Sequence, residues 1–312
     1  MSPSRSGRGA ASAKARLTSA DRRLFPEDGI TKGDLFAFYD AVADALVPHL
    51  RDRPFTMKRY REGIAGPAFF QKQAPKGMPS WIETRQFPTQ PRDGGPRLVD
   101  FPLVNSREAL LWMVQMHCID MNAWYSRVDE PMRPDYVVFD LDPPEGDFAL
   151  GVSAARLIGD LMSELGIRAY PKTSGADGMH VFVPIERRHS FEEAHAFAEA
   201  AARVLEARHP GVVTTEWRKA KRNGVLIDFH QNGAGRTTAS VYSVRPKPGA
   251  TVSTPLQWEE LDDRLERRDF PMQVALQRIE ERGDLFAPVL AGGQSLQTAM
   301  AELSSLREFS EP

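Results

Sequence analysis

Cysteine is nearly absent: Cys118 is the only one in 312 residues. A single thiol excludes an intrachain disulfide framework and a cysteine-cluster zinc site. Its apolar neighbours read as the surroundings of an inert core thiol. No stretch approaches the roughly 20 apolar residues of a membrane span, and the opening MSPSRSGRGAASAKAR lacks the apolar segment of a secretory signal. The expectation is a cytoplasmic protein with no membrane contact. A surplus of either charge is also missing, since 40 Lys+Arg stand against 42 Asp+Glu. That excludes a uniformly basic nucleic-acid coat and leaves room for a local basic groove.

What is present is enough apolar content, 41%, for one large domain or two modest ones. Residues 1–16 read as a flexible basic tail. Thr31 followed by Asp34 resembles a helix cap, and Leu35, Phe38, Tyr39, Val42, Leu46 and Val47 then recur at helical spacing. FTMKRYREG and AFFQKQ read as short strands, PTQPRDGGPRLVD as a loop, and SREALLWMVQMHCIDMNAWYSR as a helix capped by Ser106. The second half is more regular. Strand DYVVFDLDP, helix 148–165, strands RAYPKT and HVFVPI, helix 191–207, then strands VVTTEW, GVLIDFH and TASVYSV give a β-α-β-β-α-β order. This is the split, ferredoxin-like pattern, and the fold class expected is mixed α+β. A helix in PMQVALQRIEER follows, and 291–312 read as a loose tail.

Chemistry gathers in that second half. Asp140 and Asp142 end an apolar strand two residues apart, so both carboxylates project to one side. Two acids that close repel unless a cation intervenes, and paired carboxylates at a strand end are suited to Mg²⁺ or Mn²⁺. Asp228 is a third acid within an apolar strand. Ser174, Gly175 and Gly178 make a tight turn whose N–H groups can approach an anion, and His180 follows it. Lys58, Arg59, Arg61, Phe69, Phe70, Lys72 and Lys76 interleave cations with aromatics, as tracking and stacking on a nucleic-acid strand requires. Arg218, Lys219, Lys221 and Arg222 precede the Asp228 strand.

Three functions compete. A phosphatase with an Asp-x-Asp nucleophile strand is disfavoured because Pro-Pro follows and the motif sits near mid-chain. A non-catalytic nucleic-acid-binding fold would not need three acids in apolar strands. Nucleotidyl transfer uses them all. Together DYVVFDLDPPEG, KTSGADGMHV and VLIDFHQN resemble the three motifs of the archaeo-eukaryotic primase superfamily. LTSADRRLFPEDGITKGDLFAFYDAVADALVPHL, RPFTMKRYREG and FFQKQAP are similar to one branch, the polymerase domain of bacterial ligase D.

That resemblance implies a primase-polymerase fold at 17–290, with an N-terminal α/β module (17–130) packed on an RRM-like catalytic module (131–290). It implies a repair polymerase extending primer 3′ ends at gaps or double-strand breaks; the alternatives are a primase starting strands de novo and a non-catalytic relative. Implied metal ligands are Asp140, Asp142 and Asp228, holding two divalent ions, Mn²⁺ or Mg²⁺. Implied nucleotide contacts are Ser174, Gly175, His180, Gln231, Arg245, Phe69, Phe70 and Asn122, and the substrate is an NTP or dNTP, with ribonucleotides accepted. Arg22 and Lys32 match residues that hold a DNA 5′-phosphate. Further nucleic-acid contacts are expected from Lys58, Arg59, Lys72 and Lys221. Implied partners are primer-template or broken DNA ends, Ku, and a separate ATP-dependent ligase, in a bacterial, nucleoid-associated setting. With no ligase or nuclease module in these residues, a stand-alone relative is expected. Two departures from the family pattern stand out: Asp177 where a lysine is usual, and Asn122 where a histidine is usual. His117 reads as helix packing.

Overall fold

The computed structural model describes residues 15–89 and 95–308, so the basic tail expected over 1–16 lies, but for its last two residues, outside the described residues. The N-terminal half begins with a small hairpin, β1 (Arg23–Phe25) and β2 (Ile30–Thr31), that leads into α1 (Lys32–Ala41). The expected cap is present. The Asp34 N–H donates to Thr31 Oγ1 at 3.2 Å, and the Thr31 N–H donates to the Asp34 carboxylate at 2.8 Å, which satisfies two of the helix's free donors. Helix α2 (Ala43–Leu50) follows, then the strand pairs β3 (Met57–Arg59) with β4 (Phe69–Gln71), and β5 (Thr84–Thr89) with β6 (Arg97–Pro102).

Helix α3 (Arg107–Gln115) is shorter than its apolar periodicity suggests. His117 adopts φ +67°. The Cys118 N–H then reaches back to Met113 C=O, and the His117 N–H to Val114 C=O. That pair of bonds is how a left-handed residue stops a helix. His117 therefore lies beyond the helix rather than packing within it.

The second half is the sheet that sequence order foretold. Strands β7 (Tyr136–Asp142), β8 (Tyr170–Thr173), β9 (Met179–Pro184), β10 (Val213–Thr214) and β11 (Val225–Asp228) lie in the order β10-β11-β7-β9-β8. The β11-β7-β9-β8 part is antiparallel throughout, and β10 adds a parallel edge strand. Helices α4 (Phe148–Glu164) and α5 (Phe191–Arg208) make the crossovers. Strand alternation divides the faces. Val137, Phe139 and Leu141 pack in the same core as the helix residues Ile158 and Phe197, whereas Val138 and Phe182 belong to the core of the N-terminal half. Asp140 and Asp142 share the parity of Val138. The acids thus stand on the sheet face that the N-terminal half covers.

Three local expectations are corrected. The stretch taken as a loop around Pro88–Val99 is largely the β5–β6 pair, in register from Thr84↔Pro102 to Thr89↔Arg97; residues 90–94 lie outside the described residues. TASVYSV forms no strand, because Tyr242 turns to φ +59° and only single bridges flank it. Tyr242, Val244, Ala250 and Val252 return to the N-terminal core. Beyond α6 (Met272–Arg282), the supposed loose tail contains α7 (Gln297–Glu308), which packs on α5; Ala299 and Leu303 within it and Leu296 just before it are buried. Burying three apolar side chains outweighs the polar composition that suggested disorder.

Candidate active site

Register makes the site. In antiparallel pairs, directly opposed residues point to the same side. Asp228 on β11 opposes Asp140 on β7, Asp140 opposes His180 on β9, and His180 opposes Lys172 on β8. One row, Asp228–Asp140–His180–Lys172, therefore crosses four strands, with Asp142 two residues along β7 from Asp140. His180 Nε2 lies 3.2 Å from Asp140 Oδ1, and Lys172 Nζ lies 2.7 Å from His180 Nδ1. Gln231 donates to Asp140 Oδ2 at 3.2 Å, and the His230 N–H donates to Asp228 Oδ1 at 3.0 Å.

The charges are unequal in their surroundings. Burial pushes Asp140 up, but His180, Arg245 and Lys172 together hold it below the ordinary carboxylate range. Arg222 lowers Asp142 by less than burial and the Asp140 and Asp228 charges raise it, which leaves it at about 6. Burial and Asp140 likewise raise Asp228. Among the described residues no three His, Cys, Asp or Glu side chains are arranged to hold a metal ion as they stand. The acids face each other across a register pair, two of them disfavouring ionisation, which is the state a divalent cation would relieve.

The turn between β8 and β9 is fixed by close backbone approach. A Cβ on Gly178 would lie 2.1 Å from the Leu141 carbonyl oxygen, and Gly175, at φ +69°, would meet the Ser253 nitrogen at 2.6 Å. Ser174 Oγ accepts the Ala176 and Gly178 N–H groups at 3.0 and 3.1 Å, which leaves its own hydrogen to donate. Arg245 donates to the Ser174 carbonyl at 2.6 Å, while its Nε has no hydrogen-bond partner among the described residues. Asp177 is paired with Lys247 at 2.9 Å and with Arg267. Its charge is more than balanced locally.

A cavity of about 390 Å³ joins these parts: Lys58, Phe70, Asn122, Asp140, Asp142, Ser174, His180, Gln231 and Arg245 all line it. Opposite the acids stands the β3–β4 pair, in which Lys58 opposes Phe70 and Arg59 opposes Phe69. Phe70 is 66% exposed and carries the Lys58 ammonium 5.5 Å from its ring centre. Phe69 sits under Arg59 and Arg61, at 5.2 and 4.8 Å. Asn122 is buried and donates to the Asp120 carbonyl. A second groove, about 720 Å³, leads away from Asp142 past Lys219, Arg222, Lys247 and Arg267.

Other expected residues lie elsewhere. Arg59 is buried and donates to Met116 C=O and Gln71 Oε1, bracing the strand pair rather than lining the cavity. Lys72 and Lys221 are exposed and outside it. Arg22 and Lys32 form a separate basic cluster: Lys32 donates to the Thr18 carbonyl at 3.0 Å and Arg22 to that of Arg61. Burial and Arg22 lower the Lys32 ammonium. His117 belongs to this cluster, where burial with Lys32, Arg22 and Arg59 lowers it to about 4; its Nδ1 has no hydrogen-bond partner among the described residues. Sequence reading missed three residues of these sites. They are Lys172, Asp120 (buried beside Lys58 at 3.4 Å) and His117.

A split βαβ sheet with three acids on its covered face is the architecture of a primase-polymerase domain. Residues 31–286 match the family model described as LigD, primase-polymerase domain, and the chain belongs to that family. It is 35% identical over 280 residues to the multifunctional non-homologous end joining protein LigD of Mycolicibacterium smegmatis, covering 88% of this chain and 36% of that protein. The corresponding protein of Pseudomonas aeruginosa is also 35% identical, over 93% of this chain and 34% of its own length. The chain thus spans about a third of these relatives. The polymerase domain of Mycobacterium tuberculosis ligase D, solved in complex with DNA, superposes with TM-score 0.82 at 32% identity, covering 90% of this chain and 99% of that one. No helix among the described residues is long and apolar enough to cross a membrane.

Proposed function

We propose that this domain is an end-joining repair polymerase that adds nucleotides to primer 3′ ends at gaps or double-strand breaks. The observation that carries the reading is the register row, which sets Asp228, Asp140 and His180 side by side, with Asp140 and His180 lining a cavity also lined by Asp142, Ser174 and Arg245. Asp140, Asp142 and Asp228 would hold divalent ions, manganese or magnesium. Bound there, such ions supply Lewis acidity that lowers the pKa of a primer 3′-hydroxyl and offsets triphosphate charge.

The chain's own groups do the rest. Ser174 Oγ, His180 Nε2 and the Arg245 guanidinium form a donor set for phosphate oxygens, with Gly175 allowing close approach of the turn. Gln231 steadies Asp140. Phe70, with Phe69 behind it, offers a stacking face for a base, and Lys58 a cation for the strand that brings it. Lys72 and Lys221 extend the phosphate contacts outward. Arg22 and Lys32 form the proposed pocket for a 5′-phosphate across the gap. Use of ribonucleotides and cooperation with Ku and a ligase near the nucleoid belong to the same reading.

The test is extension of a labelled primer on gapped duplexes with and without a downstream 5′-phosphate, using each metal and both nucleotide classes. Templated extension, favoured by the 5′-phosphate, is expected. Products on unprimed single strands would support the primase alternative, and no product with any metal or nucleotide would overturn the enzyme reading.

A further inference from the structure

We propose that Asn232 is a positioning residue: its side-chain amide takes the place of a rung in the β11–β7 ladder, and by doing so it brings Gln231 onto Asp140. That the acids it serves hold divalent ions rests on the polymerase reading; the rung and the placement of Gln231 do not.

The register of β11 and β7 pairs Asp228 with Asp140, so an uninterrupted β11 would next set His230 against Val138. The strand does not go on. It turns into a 3₁₀ helix at Phe229–Gln231, and the buried backbone groups of Val138 on that side need another partner. Asn232, itself buried, supplies it. Its Oδ1 accepts the Val138 N–H at 2.8 Å, and its Nδ2 donates to the Val138 carbonyl at 2.8 Å. These are the two bonds that an opposed strand residue would exchange. The second Nδ2 hydrogen goes to the Phe229 carbonyl at 3.1 Å, which closes the turn. Rotating the amide by half a turn would set donor against donor at the Val138 N–H and acceptor against acceptor at both carbonyls, so its orientation is fixed.

The turn that Asn232 pins touches two of the three acids. The His230 N–H donates to Asp228 Oδ1 at 3.0 Å, and Gln231 Nε2 donates to Asp140 Oδ2 at 3.2 Å. In an extended β11, Gln231 would share the parity of Ile227 and Phe229 and point into the core beneath the helices. Only the turn returns it to the face of the acids. There it meets the Asp140 oxygen that His180 leaves free, since His180 Nε2 lies against Oδ1. Asn232 thus allows the central sheet to lose a strand partner at Val138 without leaving backbone groups unpaired, and the released chain orients a carboxylate.

The direct test is ¹⁵N NMR of the metal-free protein, following the Gln231 side-chain amide, which is assigned by its loss in Gln231→Ala. Asn232→Ala leaves room for water at the two Val138 groups and should move the Gln231 resonance to that of a solvated glutamine. An unmoved resonance in the folded variant would overturn the proposal. The wild type gives an independent check: slow deuterium exchange of the Asn232 amide hydrogens is expected, and exchange at the rate of a free side chain would overturn it equally. Mn²⁺ binding by electron paramagnetic resonance reads the consequence. Asn232→Ala and Gln231→Ala should each weaken it by about tenfold, and the double variant also by about tenfold in total, because both changes remove one contact. Losses that multiply in the double variant would contradict the proposal, as a purely structural Asn232 would act independently of Gln231. No Mn²⁺ uptake by the wild type, with the Gln231 resonance as expected, would count against the cation-site reading and leave this one standing.

Discussion

Asp140, Asp142 and Phe70 line one cavity, and the acids and the aromatics are built in opposite ways. Asp228, Asp140 and His180 stand on three central strands of a five-stranded sheet, with helices behind it. Their spacing is set by hydrogen-bonded register, and a slip of one residue would turn all of them to the other face. Phe69 and Phe70 stand on a three-residue strand paired with one partner only, exposed at 36% and 66%. A rigid frame suits chemistry that tolerates little displacement. A small exposed strand pair suits a strand of nucleic acid, whose bases share a stacking face but differ in shape.

Breaking the rigid side should have the largest effect. Asp140→Ala or Asp228→Ala is expected to lower single-turnover primer extension by about a thousandfold or more, because the transition-state charge loses its counterpart. DNA affinity, measured by fluorescence anisotropy, should change little. Breaking the exposed side should give the reverse pattern. Phe70→Ala should weaken substrate binding by about tenfold through lost stacking, with a smaller change in the rate at saturation.

The third effect is on stability. Asp142 is raised from 3.8 to about 6 by burial and its two acidic neighbours. A carboxylate raised on folding opposes the folded state once ionised: the penalty is absent below about pH 4 and grows until the pH passes about 6. Asp142→Asn should therefore stabilise the metal-free protein at pH 8 by roughly 1 kcal/mol after allowing for the solvent at this strand end, seen as a higher Tm. The gain should vanish near pH 3.5 in thermal melts, and saturating Mn²⁺ should reverse its sign at pH 8. The smallest effect is at Asp177. Its ion pairs with Lys247 and Arg267 are partly exposed, so Asp177→Lys should scarcely move the Tm. Freeing both cations should tighten nucleotide binding by about two- to threefold in KM measurements.

The same contrast explains what could be read from sequence. VVFDLD and VLID alternate or run apolar strongly enough to mark strands, and the order of elements carried the sheet topology. Those features are local. Lys172 escaped notice because a lone lysine in YPKT reads as an exposed strand residue, and only register places it beside His180. His117 looked helical because the apolar pattern continues past Gln115, and nothing nearby announces the left-handed stop. Around Pro88 and Gly94–Gly95 turn-forming composition hid the pairing of β5 with β6. Polar residues after Ala291 hid α7, whose few apolar side chains find their site only on the finished surface of α5.

The central claim is that three carboxylates from two strands act as one cation site. Mn²⁺ binding followed by electron paramagnetic resonance, in the presence of nucleoside triphosphate, tests it most directly. Wild-type protein should take up the ion saturably, and Asp140→Asn, Asp142→Asn and Asp228→Asn should each weaken that uptake strongly. Equal Mn²⁺ binding by wild type and by the triple asparagine variant would contradict it.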